Sequence, residues 1–319
     1  MHHPERPAVG GLDAETVQRI VASRYPTLEV DSVEPLAGGM SGAVFEIAPK
    51  GRGRHLVLKA YSLDWQMEHE AFVYELVASR TNLPVPEVLF TDSSRQMLDR
   101  SYLLMTRMDG EAVVSLGPLE HDDWRAIYRR MGEVLRAFHE ITFERFGYFT
   151  RGGFAESFRT NAGFMGALFE QVLRAFGALG GPPSLQRAVR SLVAGHEEVF
   201  DRCSTAVLCH NDFSEGNVCF FEGADGWRLT GVLDVGGSTA GDPLFDLAKT
   251  DYWSTRGNQL KRHALFDGYG PTGPDREDAL RLYRPYHALG LWNWFARDGR
   301  HPEMLARITE DLASLVKPA

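Results

Sequence analysis

Apolar and polar residues keep two different rhythms along this chain. In the first part the apolar runs are short and separated by turns, which is the pattern of strands. Strands are expected over residues 28–36, 43–48, 55–60, 87–90 and 102–106. Helical spacing breaks in twice. Val17, Ile20 and Val21 share one face of residues 13–25, with Asp13 placed to cap them. Met67, Ala71, Tyr74 and Val77 share one face of residues 65–80. Leu83-Pro84-Val85-Pro86 ends that second helix, because proline cannot continue it. Beyond Gly110 the rhythm turns almost wholly helical. Residues 121–141 carry Trp124, Ile127, Met131, Val134, Leu135 and Phe138 on one broad face. Further helices are expected near 155–177, 184–201, 243–254, 258–268, 276–296 and 303–316, and a Gly- and aromatic-rich loop over 146–154. The fold class is therefore α+β. An antiparallel sheet lobe with one inserted helix spans residues 1–108, and a larger, mainly helical lobe spans 109–319.

One stretch of the second part departs from helical rhythm. The strand run 206–209 drops into a polar loop, His210-Asn211-Asp212-Phe213-Ser214-Glu215-Gly216-Asn217. The run 218–221, a turn at 223–226 and the run 227–233 follow, and Asp234 and Gly236 close the stretch. This reads as one hairpin-like unit that presents Asp212, Asn217 and Asp234 on neighbouring strand ends. Two carboxylates and an amide oxygen form a hard donor set, suited to Mg²⁺ with phosphate rather than to zinc. Upstream, Gly38, Gly39, Ser41 and Gly42 lie between two strands. Glycine there lets backbone N–H groups approach a phosphate, although an ordinary hairpin turn uses the same residues. Lys59 stands inside an apolar strand run, and the helix after it carries Glu68, Glu70 and Glu75 as possible partners.

Charge narrows the classes of partner. The formal net charge is −9, which disfavours nucleic acid or an anionic membrane held by bulk charge and leans toward a cationic small ligand. No run approaches the length of a membrane span, and Met1 to Pro7 lacks the apolar core of a signal peptide. The three cysteines form no CxxC and are expected to be reduced and structural. A cytoplasmic chain, monomeric or dimeric, is expected.

His210, Asp212 and Asn217 together spell H-x-D-x-x-x-x-N, followed by a strand pair and by D-x-G at Asp234 and Gly236. With a Gly-rich turn, a strand lysine and a helix glutamate upstream, this is the order of the protein-kinase signatures. The loop reads His-Asn-Asp rather than H-R-D, and no A-P-E follows. Gly241-Asp242-Pro243-Leu244-Phe245-Asp246-Leu247-Ala248 stands there instead. In these features, and in Leu83-Pro84-Val85-Pro86 and Tyr102-Leu103-Leu104-Met105, the chain resembles the aminoglycoside phosphotransferase family of small-molecule kinases. The resemblance runs from Leu36 to about Trp253.

That resemblance implies a bilobal protein-kinase-like fold and Mg²⁺-dependent transfer of the γ-phosphoryl group of ATP or GTP to a hydroxyl. It makes Asp212 the catalytic aspartate and Asn217 and Asp234 the metal ligands. It gives Lys59 to the nucleotide phosphates with Glu70 as its partner, Glu68 and Glu75 being the alternatives. It gives the phosphate-covering turn to Gly38, Gly39, Ser41 and Gly42, and the base edge to backbone at Thr106 and Met108. His210, Asp242 and Asp246 become braces of the loop. Two residues depart from the family pattern: Asn211 stands where glycine is usual, and Val235 where an aromatic is usual.

The acceptor is written less clearly. Glu156, Glu215, Asp251, Trp253, Trp292 and Trp294 are candidate walls, of which Glu215, Asp251 and Trp253 are preferred. Acidic and aromatic groups suit a polycation, although Trp292 and Trp294 lie in an apolar helix where core is the commoner use. A cationic antibiotic is favoured, either an aminoglycoside or a basic peptide such as capreomycin or viomycin. A macrolide or a metabolite (a hydroxylated amine, amino acid or sugar) is the alternative. A catalytically dead nucleotide-binding module fits poorly, because Lys59, Asp212, Asn217 and Asp234 are all present. A protein kinase fits poorly because residues 238–248 leave no peptide-docking segment.

Overall fold

The structure, a computed structural model, describes residues 14–36 and 42–317. The chain divides into two compact units, Met1–Asp109 with Thr230–Gly236, and Gly110–Leu229 with Gly237–Ala319.

The first unit is built on an antiparallel sheet of β1 (Val30–Pro35), β2 (Gly42–Pro49), β3 (Leu56–Tyr61), β4 (Val88–Asp92) and β5 (Ser101–Thr106). Its spatial order is β1-β2-β3-β5-β4. Helix α1 (Ala14–Ala22) precedes the sheet, and α2 (Asp64–Arg80) is inserted between β3 and β4. Every residue of β3 and β5 is buried, so neither strand alternates with polar residues. Two helices explain this. Val17, Ile20 and Val21 of α1 join Leu56, Leu58, Ala60, Tyr102 and Leu104 in one apolar cluster. Successive strand residues face opposite ways, and Lys59, between Leu58 and Ala60, meets α2 instead.

The second unit holds α3 (His121–His139), α4 (Asn161–Ala178), α5 (Pro183–Ala194), α6 (Glu197–Phe200), α7 (Pro243–Thr250), α8 (Gln259–Tyr269), α9 (Arg276–Asp298) and α10 (Pro302–Leu315). Local chemistry starts several of them. Glu120 and Asp123 form a capping box for α3, Thr160 caps α4, and Asn258 caps α8. Helices α3 and α8 cross backbone to backbone. A Cβ on Gly268 would lie 1.9 Å from the Arg129 carbonyl oxygen, and one on Gly132 would lie 2.1 Å from that of Leu265. Only glycine permits that approach.

This unit is less purely helical than its rhythm suggests. Strands β7 (Thr142–Phe143), β8 (Phe146–Thr150), β9 (Gly153–Phe158), β10 (Ala206–Cys209) and β13 (Thr239–Gly241) form a sheet of order β7-β10-β13-β8-β9. Strands β6 (Glu111–Ala112), β11 (Val218–Gly223) and β12 (Gly226–Val232) form another, of order β12-β11-β6. The expected loop at 146–154 is in fact strand β8 and the start of β9, and Phe149 of β8 stacks on Phe143 of β7 with ring centroids 4.6 Å apart. The helix expected from residue 155 starts only at Asn161, because 153–158 pairs with β8. The helix expected over 184–201 breaks after Ala194, and the one expected over 243–254 ends at Thr250 and continues as a π-turn, Asp251–Thr255.

The single hairpin-like unit expected to carry Asp212, Asn217 and Asp234 is also corrected. β10 pairs with β13 and β7, in a different sheet from β11 and β12. Asp212 is therefore carried by a loop leaving one sheet, and Asp234 by the strand that ends another. Among the described residues no helix is long and apolar enough to cross a membrane, and none of the three cysteines is in a disulfide.

Candidate active site

In the first unit, β3 and α2 set a buried ion pair. Lys59 is 5% exposed and Glu70 1%. The Lys59 ammonium donates to both Glu70 oxygens, at 2.9 and 2.8 Å. Glu68 and Glu75 lie on the exposed face of the same helix. Lys59 also donates to Asp234 Oδ1 at 2.7 Å. Burial works against the charge of Lys59, but the carboxylates of Glu70 and Asp234 outweigh it and hold the ammonium firmly protonated. Burial pushes the Glu70 carboxyl upward, and Lys59 pulls it back. Tyr61 completes the cage by donating to Glu70 Oε2 at 2.9 Å.

Asp234 follows β12 and sits at φ +58°, in the left-handed region that an ordinary side chain enters at a cost. Its main-chain N–H donates to the Tyr74 hydroxyl of α2 at 2.9 Å, so two contacts hold the strained residue. Gly236 has a steric reason. A Cβ there would lie 2.8 Å from Glu70 Oε2, so the D-x-G spacing leaves room for the carboxylate that binds Lys59.

Backbone at the end of β5 is partly committed. The Thr106 N–H donates to the Glu87 carbonyl, and the Met108 carbonyl accepts from the Arg107 guanidinium. The base contacts expected at Thr106 and Met108 fall on this stretch of backbone. Gly42 opens β2, opposite Tyr61. Gly38, Gly39 and Ser41 lie outside the described residues.

In the second unit, one face of α7 grips the loop after β10 residue by residue. Asp242 caps the helix by accepting from the Leu244 N–H at 2.8 Å, with Pro243 at the first helical position. Asp246, Lys249 and Thr250 then share a face at i, i+3 and i+4. Asp246 accepts the main-chain N–H groups of His210 and Asn211, each at 2.6 Å. Lys249 Nζ lies 2.9 Å from Asp212 Oδ1. Thr250 donates to the Phe213 carbonyl at 2.9 Å. From the loop's far end Asn217 donates to the Asp212 carbonyl at 2.8 Å and to its Oδ2 at 3.3 Å. Asn211 sits at φ +64°, a conformation that glycine and asparagine tolerate best. That accounts for its standing in a glycine position.

The braces are themselves buried and satisfied. Burial alone would raise the Asp246 carboxyl, but the hydrogen bond and charge of His139 hold it below the usual range. His139 Nε2 lies 3.3 Å from Asp246 Oδ2, and its Nδ1 lies 2.9 Å from the Tyr269 hydroxyl. Burial raises the Asp242 carboxyl, and Tyr283 donates to it at 2.6 Å. His139, Cys209 and Asp246 are close enough to suggest a metal. Hydrogen bonds account for them instead, Cys209 donating to the Asp242 carbonyl at 3.3 Å, and burial pushes the Cys209 thiol far from its thiolate form.

The expected acceptor walls fare unevenly. Asp251 is 5% exposed, and both of its oxygens are taken, one by Arg262 and one by Arg284. It braces the π-turn, accepting also from the Thr255 hydroxyl. Glu215 accepts from Tyr128 at 2.6 Å and from Lys261 at 2.8 Å, and Lys261 lies over the Trp124 ring. Trp253 is half-buried and carries the Arg256 guanidinium against its ring. Trp292 is core, with its indole N–H on Thr309.

Sequence reasoning assigned nothing to Lys249, Tyr61 or Tyr74. The spacing of Lys249 from Asp246 was the available signal. As to a metal, Asn217 turns its amide nitrogen toward Asp212. What its side chain can offer an ion is its carbonyl oxygen, and Asp234 offers carboxylate. Such donors suit Mg²⁺ and not a soft metal.

Against family models, residues 32–282 match APH, described as the phosphotransferase enzyme family. No curated protein matches. Among solved structures, a thermostable mutant of aminoglycoside phosphotransferase APH(4)-Ia in its apo form is 21% identical, with TM-score 0.72, over 94% of this chain and 98% of that one. The same protein in a ternary complex with ADP and hygromycin B gives 20% and 0.71, over 94% and 98%. A GDP and kanamycin complex of APH(2")-IIia gives 14% and 0.64, over 94% and 97%. At these identities the likeness is one of fold.

Proposed function

Because the chain belongs to the phosphotransferase enzyme family, and so acts as a phosphotransferase on hydroxyl groups, we propose that it is a Mg²⁺-dependent kinase of a small cationic molecule. The observation that carries the kinase reading is Lys59 shared between Glu70 and Asp234. A buried lysine held by two carboxylates is costly unless its charge has a use, and phosphoryl transfer needs a fixed cation against the phosphates.

Each residue then has a part. Lys59 binds nucleotide phosphate oxygens, and Glu70 and Tyr61 keep its stem from wandering. Backbone at Thr106 and Met108 serves the base edge of ATP or GTP. Asn217 and Asp234 are the residues that would hold Mg²⁺, which would offset the negative charge of the phosphates. Asp212 orients the acceptor hydroxyl. As the acceptor oxygen bonds to the γ-phosphorus, the bond from that phosphorus to the β-bridging oxygen breaks. The electron pair leaves with the nucleoside diphosphate, and the hydroxyl proton passes to the Asp212 carboxylate and on to water. The transition state is loose, so position and charge account for most of the rate.

For the acceptor we favour an aminoglycoside, with a basic peptide antibiotic second. The net charge of −9 supports a cation, and two structures of like fold were solved with hygromycin B and with kanamycin. The test is a screen with Mg·ATP and Mg·GTP against hygromycin B, kanamycin, capreomycin, viomycin, a macrolide, choline and a protein substrate, read by mass spectrometry. The expected result is one added phosphoryl group on a cationic antibiotic. Phosphorylation confined to choline would move the protein to the metabolite kinases, and phosphorylation confined to the protein substrate would overturn the small-molecule reading.

A further inference from the structure

We propose that Lys249 is a positioning residue of the transfer site, acting through Asp212. The inference rests on the reading of Asp212 given above. Lys249 is 7% exposed, and an ammonium in that setting is costly without a close anion. Two inward carboxylates of this region, Asp242 and Asp246, are buried, yet Lys249 does not take either of them. Its partner is Asp212, whose side chain is 30% exposed. A fold-only role at the end of α7 would be served by an apolar side chain of similar length.

The contact also has the right form. Lys249 holds Oδ1 of Asp212 and Asn217 Nδ2 reaches Oδ2. The carboxylate is thus fixed at two points, as orienting a hydroxyl requires. Its negative charge is offset from behind, so an incoming phosphate meets less repulsion. A competing cation is excluded nearby: burial and the charge of Lys249 keep His287 neutral, with a pKa lowered to about 3. Lys249 reaches the loop from α7 rather than from the loop itself, which is why the loop motif does not contain it.

The test follows phosphate release from Mg·ATP with water as acceptor, so it does not wait on the acceptor's identity. K249M keeps the stem and removes the charge. Its expected kcat falls about 10- to 100-fold, the scale of one charge-assisted hydrogen bond, while KM for ATP stays within about twofold. The variant is expected to fold, because Asp212 is open enough to take water in place of the ammonium, and thermal melting checks this. K249A is expected to regain turnover, saturably, with ethylamine or propylamine, a response that a packing role does not give. Unchanged kcat in K249M overturns the proposal. So does a loss in K249A that no amine restores and that is shared equally by kcat and KM. D212A separates the two claims. If D212A is inactive and K249M normal, the Lys249 inference alone fails. If D212A turns over as well as wild type, the functional reading fails; where water alone gives no release, the acceptor returned by the screen takes its place in the same comparison.

Discussion

Asn211 holds φ at +64° between a histidine and the aspartate assigned to catalysis. The sequence marked it as a departure from a glycine position. The backbone explains the exchange, since asparagine is among the few residues that tolerate the left-handed region. N211G is therefore expected to fold and turn over near wild type. N211V is expected to lose about 1–2 kcal/mol of unfolding free energy, because a β-branched residue is strained there. Urea denaturation of the two variants decides it, and equal midpoints for N211V and wild type would contradict the account. Other residues were legible to different degrees. Glu70 stood beside Glu68 and Glu75 in the sequence, and only burial against Lys59 separates them. The ion pairs of Asp251 were not legible, because a sequence does not show Arg262 and Arg284 folding back onto it.

Helix α7 was legible as an element, because Asp242, Pro243 and the run after them spell a helix start. Its neighbour α9 was legible by rhythm, but not the buried histidine that joins them. His287 donates from Nε2 to the Phe245 carbonyl at 2.8 Å. Burial and then the charge of Lys249 lower its pKa from 6.5 to about 3. The sign follows. Above pH 6.5 His287 is neutral in both folded and unfolded chains. Between 6.5 and about 3 only the unfolded chain takes the proton, so stability falls as pH falls, by up to about 1.4 kcal/mol per pH unit. Below about pH 3 this loss levels off. H287Q, which keeps a donor for Phe245, is expected to flatten that limb by one proton, as read from unfolding free energy between pH 6.5 and 4.5. An unchanged slope in H287Q would remove His287 from the acid limb. Strands β8 and β9 were missed for another reason. Aromatics separated by Arg151-Gly152-Gly153 read as loop when the pairing partner is unknown, and pairing made them strands.

At the scale of the whole chain, the change of rhythm after Thr106 was visible, but the return of Thr230–Gly236 to the first unit was not. Lys59 and Asp234 are 175 positions apart, and no local pattern announces such a contact. What announced it was the ordered set of motifs, each weak alone, that the family match over residues 32–282 now covers. The same order assigns the chemistry to Asp212, and that assignment is the centre of the account. The direct measurement is transfer from γ-labelled Mg·ATP to the acceptor returned by the screen, with wild type and D212A side by side. The expected result is labelled product from wild type, and turnover at least about a hundredfold lower in D212A with nucleotide binding retained. Near-normal turnover by D212A would contradict the account.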